Sequence, residues 1–225
     1  MKIVVLISAN AEWRVVRELH PALEFQESPY GEFAENQNMI LFHGGWGKIS
    51  AAATAQYVID HFAPDLLVNL GTCGGFAGRI ETGTIMLVDR TLVYDIVEQM
   101  GDEAEAIEYY TTDIDLSWLA KDKQQTMSNG EFSIVRGLLV SADRDIVLED
   151  IPMLIEKYNA IAADWESGAI AWVAQRNKTR TLILRAVTDL VGRGGGEAYG
   201  NIELFQERTK TVMHELFRQL PGWLE

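Results

Sequence analysis

"GKISAAATAQYVIDHFAPDLLVNLGTCGGF", residues 47–76, decides how this chain folds. Residues 47–62 have helical spacing and are rich in alanine, so the helix they predict packs closely against a neighbour. "PDLLVNLGTCGGF" (64–76) comes next as an apolar strand running into a glycine turn. A strand that is apolar throughout belongs to a sheet covered on both faces. Helix, strand and glycine turn in succession are one step of an α/β chain.

The same alternation extends outward. "KIVVLIS" (2–8) reads as a buried strand and "EWRVVRELH" (12–20) as a helix. "NMILFHGG" (38–45) is a strand ended by glycines, and "GTIMLVDRTLVYD" (83–95) is another strand. Residues 98–130 are acidic and irregular, which predicts a surface excursion with a short helix. "FSIVRGLLVSADRD" (132–145) is a strand, "DWESGAIAWVAQRN" (164–177) a helix and "TLILRAVTDLV" (181–191) a strand. A glycine-rich loop (192–196) precedes a long amphipathic helix, 201–220. The expected fold class is α/β, as one domain over residues 1–225: three layers, αβα, with a central mixed, twisted sheet flanked by helices.

Bulk properties narrow the partners. The net charge of −14 disfavours nucleic acid and acidic membrane surfaces, since both reward a basic patch. No stretch approaches the roughly 18 apolar residues of a membrane span. The single cysteine, Cys73, rules out an internal disulfide and suits a reducing cytoplasm. No secretory leader is recognisable in "MKIVVLISANAEW".

Familiar site motifs fail on spacing. "GGWGKIS" (44–50) has Ile49 after Lys48, where a phosphate loop needs Ser or Thr. "GRGGGE" (192–197) puts Glu197 in place of the third glycine of a dinucleotide loop. Histidines 20, 43, 61 and 214 have no i,i+4 pairing for zinc. No GxSxG elbow is present. Cys73 reads as a packing residue rather than a nucleophile.

The remaining candidates are carboxylates at element edges. Ligands of open α/β sheets sit beyond the carboxyl ends of strands. Ser8 to Glu12, the 71–75 glycine turn, Ser141 to Asp145 and Asp189 all fall there. Glu12 comes after the first strand, Glu166 lies in the first turn of an alanine-rich helix, and Asp189 ends a late strand. Each also has a plain structural reading: Glu12 and Glu166 suit helix N-termini, and Asp189 can cap the next element.

Six blocks, in order, carry a resemblance: "MKIVVLISANAEW" (1–13), "GGWGKISAAATAQYVIDHFAPDLLVNLGTCGGF" (44–76), "GTIMLVDRTLVYD" (83–95), "GLLVSADRDI" (137–146), "ADWESGAIA" (163–171) and "LILRAVTDL" (182–190). Together they resemble the nucleoside phosphorylase and hydrolase superfamily, and within it most of all the methylthioadenosine/S-adenosylhomocysteine nucleosidases. The resemblance implies a small-molecule nucleoside as substrate, a homodimer, and no metal or cofactor. It implies that Asp189 donates a proton towards N7 of a purine and that Glu12, helped by Arg185, activates the attacking water. Glu166 would grip the ribose 2′ and 3′ hydroxyls. Thr72, Cys73 and Gly74 would line the sugar side, Trp165 would pack on the sugar, and the backbone of Ile146 would read the base edge. Asp145, Trp46 and Thr188 complete the implied binding set. The "SAAATAQYVIDHF" segment (50–62), with Trp46 nearby, reads as an interface or, equally, as core.

The chemistry agrees with the chain's residues. Cleaving an N-glycosidic bond builds positive charge on the sugar and negative charge on the base. An acid at the base and anions beneath the sugar both favour the transition state over the substrate. Phosphorolysis on the same fold, and nucleoside binding without turnover, stand as alternatives. The departures from the family pattern gather at the ligand: Asp145 stands in place of an aromatic ring, Trp46 of a smaller aliphatic residue, Asp164 of Glu, Trp165 and Ala9 of Met, and Ser167 of a smaller residue. They bear on which nucleoside is bound more than on the fold.

Overall fold

The computed structural model describes residues 1–36, 39–124, 127, 128 and 133–224. Residues 38 and 132 of two expected strands, and 125, 126, 129 and 130 of the 98–130 excursion, lie outside the described residues. The chain begins with β1 (Ile3–Ile7), α1 (Asn10–Leu19), β2 (Phe25–Ser28), β3 (Gly31–Asn36) and β4 (Met39–His43). It continues through α2 (Gly47–Phe62), β5 (Leu66–Phe76), β6 (Ile85–Val93), α3 (Glu103–Tyr109), β7 (Thr112–Asp113) and β8 (Met127–Ser128). The last elements are β9 (Ser133–Ser141), α4 (Ile151–Tyr158), β10 (Ala162–Asp164), α5 (Ser167–Arg176), β11 (Thr181–Gly192), β12 (Gly195–Gly196) and α6 (Ile202–Leu224).

All the described strands join one mixed sheet between two helical layers. Strand β1 shows why both of its faces must be apolar. Alternate side chains leave a strand on opposite faces. Ile3, Val5 and Ile7 pack with Trp13 and Val16 of α1 and with Val212, Met213 and Leu216 of α6. Val4 and Leu6 pack on the other face with Ala51, Ala55 and Val58 of α2 and Ile170 and Val173 of α5. The alanines of α2 let it approach α5 closely, as their spacing predicts.

Five strands close on themselves. β5 pairs with β11, β11 with β6, β6 with β9, β9 with β10, and β10 returns to β5. Closure leaves no free edge within this ring and brings β10 against the last residues of β5, with β9 on its other side.

That closure corrects three sequence expectations. The 71–75 glycine stretch is no turn: β5 runs on to Phe76, because β10 pairs with Gly74 and Gly75 while β11 pairs along its other side. Asp189 does not end its strand. β11 continues to Gly192, with a register shift between Val187 and Asp189 that re-aims the side chains. The glycines after it turn the chain into the short hairpin of β11 with β12. Glu166 is the N-cap of α5 rather than part of its first turn, since β10 takes the preceding residues as far as Asp164. The hairpin of β2 and β3, helix α4 and strand β10 are additional elements. Their segments are short or mixed in polarity, and pairing partners elsewhere in the chain make them regular.

Candidate active site

A cavity of about 710 Å³ opens where β1, β5, β9, β10 and β11 meet. Its floor is built around Arg185, mid-strand in β11 and 1% exposed. The guanidinium donates from Nε to Ser167 Oγ at 2.9 Å, from Nη2 to Asn69 Oδ1 at 2.7 Å and from Nη1 to the Thr72 carbonyl at 3.3 Å. It pairs with Asp164 at 2.8 Å, and Glu12 and Glu166 each stand 3.9 Å away. Burial works against the arginine's charge; Asp164, then Glu12 and Glu166, overcome it and hold its pKa above the ordinary value. Gly71 leaves the room this needs, since a Cβ there would lie 2.2 Å from Arg185 Nη1 and 2.8 Å from Glu12 Oε1.

Glu12, 2% exposed, is fixed from two elements. Its Oε2 accepts the Ala9 N–H at 3.1 Å at the start of α1, where the helix dipole favours an anion. Its Oε1 accepts the Thr72 N–H at 2.6 Å and the Thr72 hydroxyl at 2.8 Å. A carboxylate offers about four acceptor positions, so one on Oε2 stays open towards the cavity.

Asp164 is saturated. Ser141 Oγ donates to it at 2.5 Å, and Ser167 reaches it through Oγ at 2.5 Å and N–H at 3.0 Å. Glu166 is less well provided, with the Gly47 N–H at 3.1 Å at the start of α2. Burial first, then the negative charge of Asp164, push its pKa up to about 8 against the pull of Arg185. Burial and the neighbouring charge of Asp164 thus favour the protonated form of Glu166.

The opposite end of the cavity holds another buried carboxyl. Asp189 is buried, which raises its pKa. Thr188 Oγ1 donates to its Oδ1 at 2.8 Å, and the Ala198 N–H also bonds the carboxyl. Beside it the Tyr199 hydroxyl donates to the Ile146 carbonyl at 2.9 Å. Burial, then the charges of Asp145 and Asp189, keep that phenol protonated, with a pKa of about 12. Cys73 lines the wall, and burial pushes its thiol well above the usual range, so it is no nucleophile at neutral pH.

The model of the phosphorylase superfamily matches residues 5–220. The chain belongs to that superfamily. A curated 5′-methylthioadenosine/S-adenosylhomocysteine nucleosidase of Listeria welshimeri is 28% identical over 200 residues, covering 84% of this chain and 85% of its own. A nucleosidase of that name from Colwellia psychrerythraea, solved with adenine, superposes with a TM-score of 0.79 at 23% identity over 100% of this chain and 96% of its own. The S. pneumoniae nucleosidase, solved with the transition-state inhibitor MT-ImmA, superposes with a TM-score of 0.78 at 18% identity over the whole of both chains. These structural likenesses establish the α/β fold of the superfamily for this chain.

The residues singled out from the superfamily resemblance fall into two groups. Glu12, Trp46, Thr72, Cys73, Gly74, Asp145, Ile146, Trp165, Glu166, Thr188 and Asp189 all line the cavity. Arg185 does not: it lies behind the floor and holds the carboxylates from below. Asp164, a departure from the family pattern, turns out to be its nearest charged partner. The wall also includes Tyr199, Ile202 and Phe205, which sequence reasoning missed. Their only signal was aromatic and aliphatic residues among the polar and glycine residues where α6 begins.

Proposed function

We propose that this chain hydrolyses the N-glycosidic bond of a purine nucleoside, 5′-methylthioadenosine or S-adenosylhomocysteine, and releases adenine. One observation carries the reading: a single cavity sets a buried carboxyl with raised proton affinity, Asp189, opposite a buried, tethered carboxylate, Glu12. The relatives' names set the substrate class.

In this reading Asp189 donates its proton to N7, so that the base departs neutral. Its burial raises the affinity of the carboxyl for that proton. The open lone pair of Glu12 takes a proton from water attacking the anomeric carbon. Glu166 bonds the ribose hydroxyls. The carboxylate cluster, with charge held in place before substrate arrives, stabilises the cation developing on the sugar. Arg185 positions the carboxylates without touching substrate. Glu12 also weighs against phosphorolysis, because its carboxylate would repel phosphate and the Arg185 guanidinium is already taken up by protein partners.

We extend the proposal to a single domain over residues 1–225 that acts as a homodimer in the cytoplasm. Trp46, 60% exposed, and Ile49, 85% exposed, are large apolar side chains beside the cavity mouth and support an interface there. A light-scattering mass of twice 25.2 kDa is expected, and a monomer mass rejects it. The activity is tested with methylthioadenosine, adenosylhomocysteine, adenosine, inosine and uridine, each with and without phosphate, with free base measured by chromatography. Adenine release from the first two without phosphate is the expected result. Release that needs phosphate, or no release at all, overturns it.

A further inference from the structure

The cavity wall beside Asp189 is a strap, residues 197–201, that belongs to no strand or helix. It is tied to β11 on both sides of Asp189. The Glu197 N–H donates to the Leu190 carbonyl at 3.1 Å, and Glu197 Oε2 accepts the Leu190 N–H at 3.4 Å. Arg208, in the second turn of α6, donates from Nη1 to Glu197 Oε2 at 2.6 Å and to the Thr188 carbonyl at 3.0 Å. Thr188 and Leu190 are the neighbours of Asp189, and the N–H of the next strap residue, Ala198, lies near enough to lower the proton affinity of its carboxyl. Neither Arg208 nor Glu197 lines the cavity.

We propose that Arg208 and Glu197 are positioning residues: their ion pair clamps the strap onto β11 and so places the Asp189 carboxyl for its proton transfer. This rests on Asp189 as the acid of the proposed reaction. A partly exposed ion pair contributes little to stability, and these side chains are 30% and 45% exposed. The Lys210–Glu18 pair, by contrast, only links the surfaces of two helices. The Arg208 pair reaches the backbone on both sides of one side chain, so its consequence is geometric. It is also electrostatic, since Arg208 pulls the proton affinity of Asp189 down while Glu197 lifts it. The other groups facing Asp189 are the Thr188 hydroxyl and Ala198 N–H, with Tyr199 on the strap and Cys73 on β5, both held protonated by burial.

The test compares wild type, Glu197→Gln and Arg208→Gln. Two readouts are taken: the pH profile of kcat for methylthioadenosine, and the Asp189 carboxyl titration by ¹³C NMR, assigned through its absence in Asp189→Asn. Both variants should lose roughly tenfold in kcat, with KM little changed, as expected when a reacting group is misplaced. Glu197→Gln leaves Arg208 uncompensated, so the Asp189 titration and the alkaline limb of the profile move to lower pH. Arg208→Gln moves both to higher pH. Opposite displacements support the clamp, because general loosening of the fold would move the two variants alike. Titrations that stay at the wild-type value, or shift in the same direction, overturn it. If wild type releases no base, the nucleosidase reading fails, while the NMR titration still decides the clamp.

Discussion

The two ends of the cavity are built by different means. At the end proposed to hold the sugar, Arg185, Glu12 and Asp164 are interlocked side chains of the core, tied by hydrogen bonds and ion pairs from β5, β9, β11 and the starts of α1 and α5. At the end proposed to hold the base, Asp189 lies against a short strap that carries a partly exposed ion pair. Charge at the first end is inseparable from folding. At the second it is separable from folding and available for chemistry. A buried ion cluster costs several kcal/mol per unpaired charge, whereas a carboxyl at the margin of the core can gain or lose a proton with little effect on packing.

Arg185→Met puts this contrast under the greatest strain. The buried carboxylates of Asp164 and Glu12 would lose their common cation, at a cost of about 3–5 kcal/mol in stability, together with all turnover. Chemical denaturation reads the first effect, and an unchanged midpoint would show that the sugar end is not part of the folding core. Asp189→Asn is the counterpart. It should lower kcat roughly 10²- to 10⁴-fold and leave the thermal midpoint close to that of wild type; full activity would remove Asp189 as the acid.

A smaller effect appears as pH dependence. Folding raises the pKa of Glu166 from about 4.5 to about 8, so between those values the folded chain binds more protons than the unfolded chain. Stability from this group is therefore fully present below about pH 4.5 and is lost as pH rises through about 8. Asp189, raised in the same direction, adds to the same slope. Thermal midpoints should fall as pH rises across that window, and Glu166→Gln should flatten the fall. An equally steep fall in the variant would remove Glu166 as its source. The smallest change expected is from Tyr199→Phe, which deletes the bond to the Ile146 carbonyl. A net loss of about 1 kcal/mol, roughly fivefold in KM with kcat nearly intact, would mark Tyr199 as part of the base wall. A fall in kcat instead would place it with Asp189.

The same contrast accounts for which residues were legible in the sequence. Glu12 was legible as a carboxylate at the start of a helix after an apolar strand, and Glu166 as one at the start of an alanine-rich helix. Asp189 was legible as a carboxylate after an apolar run, although the register shift that aims it was not. Tyr199 gave no comparable signal, because its neighbours in sequence are polar and glycine residues, and Phe205 and Arg208 read only as members of an amphipathic helix. Asp164 was noticed only as a shorter acid, and its place beside Arg185 depends on β10, three residues too short to announce themselves.

Local polarity and spacing were enough to establish the alternation of strands and helices and the two-sided burial of the sheet, and to single out carboxylates at element edges. They were not enough to show that β5 passes straight through its glycines, that Arg185 stands behind the site rather than in it, or that one end of the cavity is core while the other is strap. Those outcomes depend on pairing between segments far apart in the chain, such as β5 with β10 and β11. Local propensity carries no information about which distant strand closes the ring.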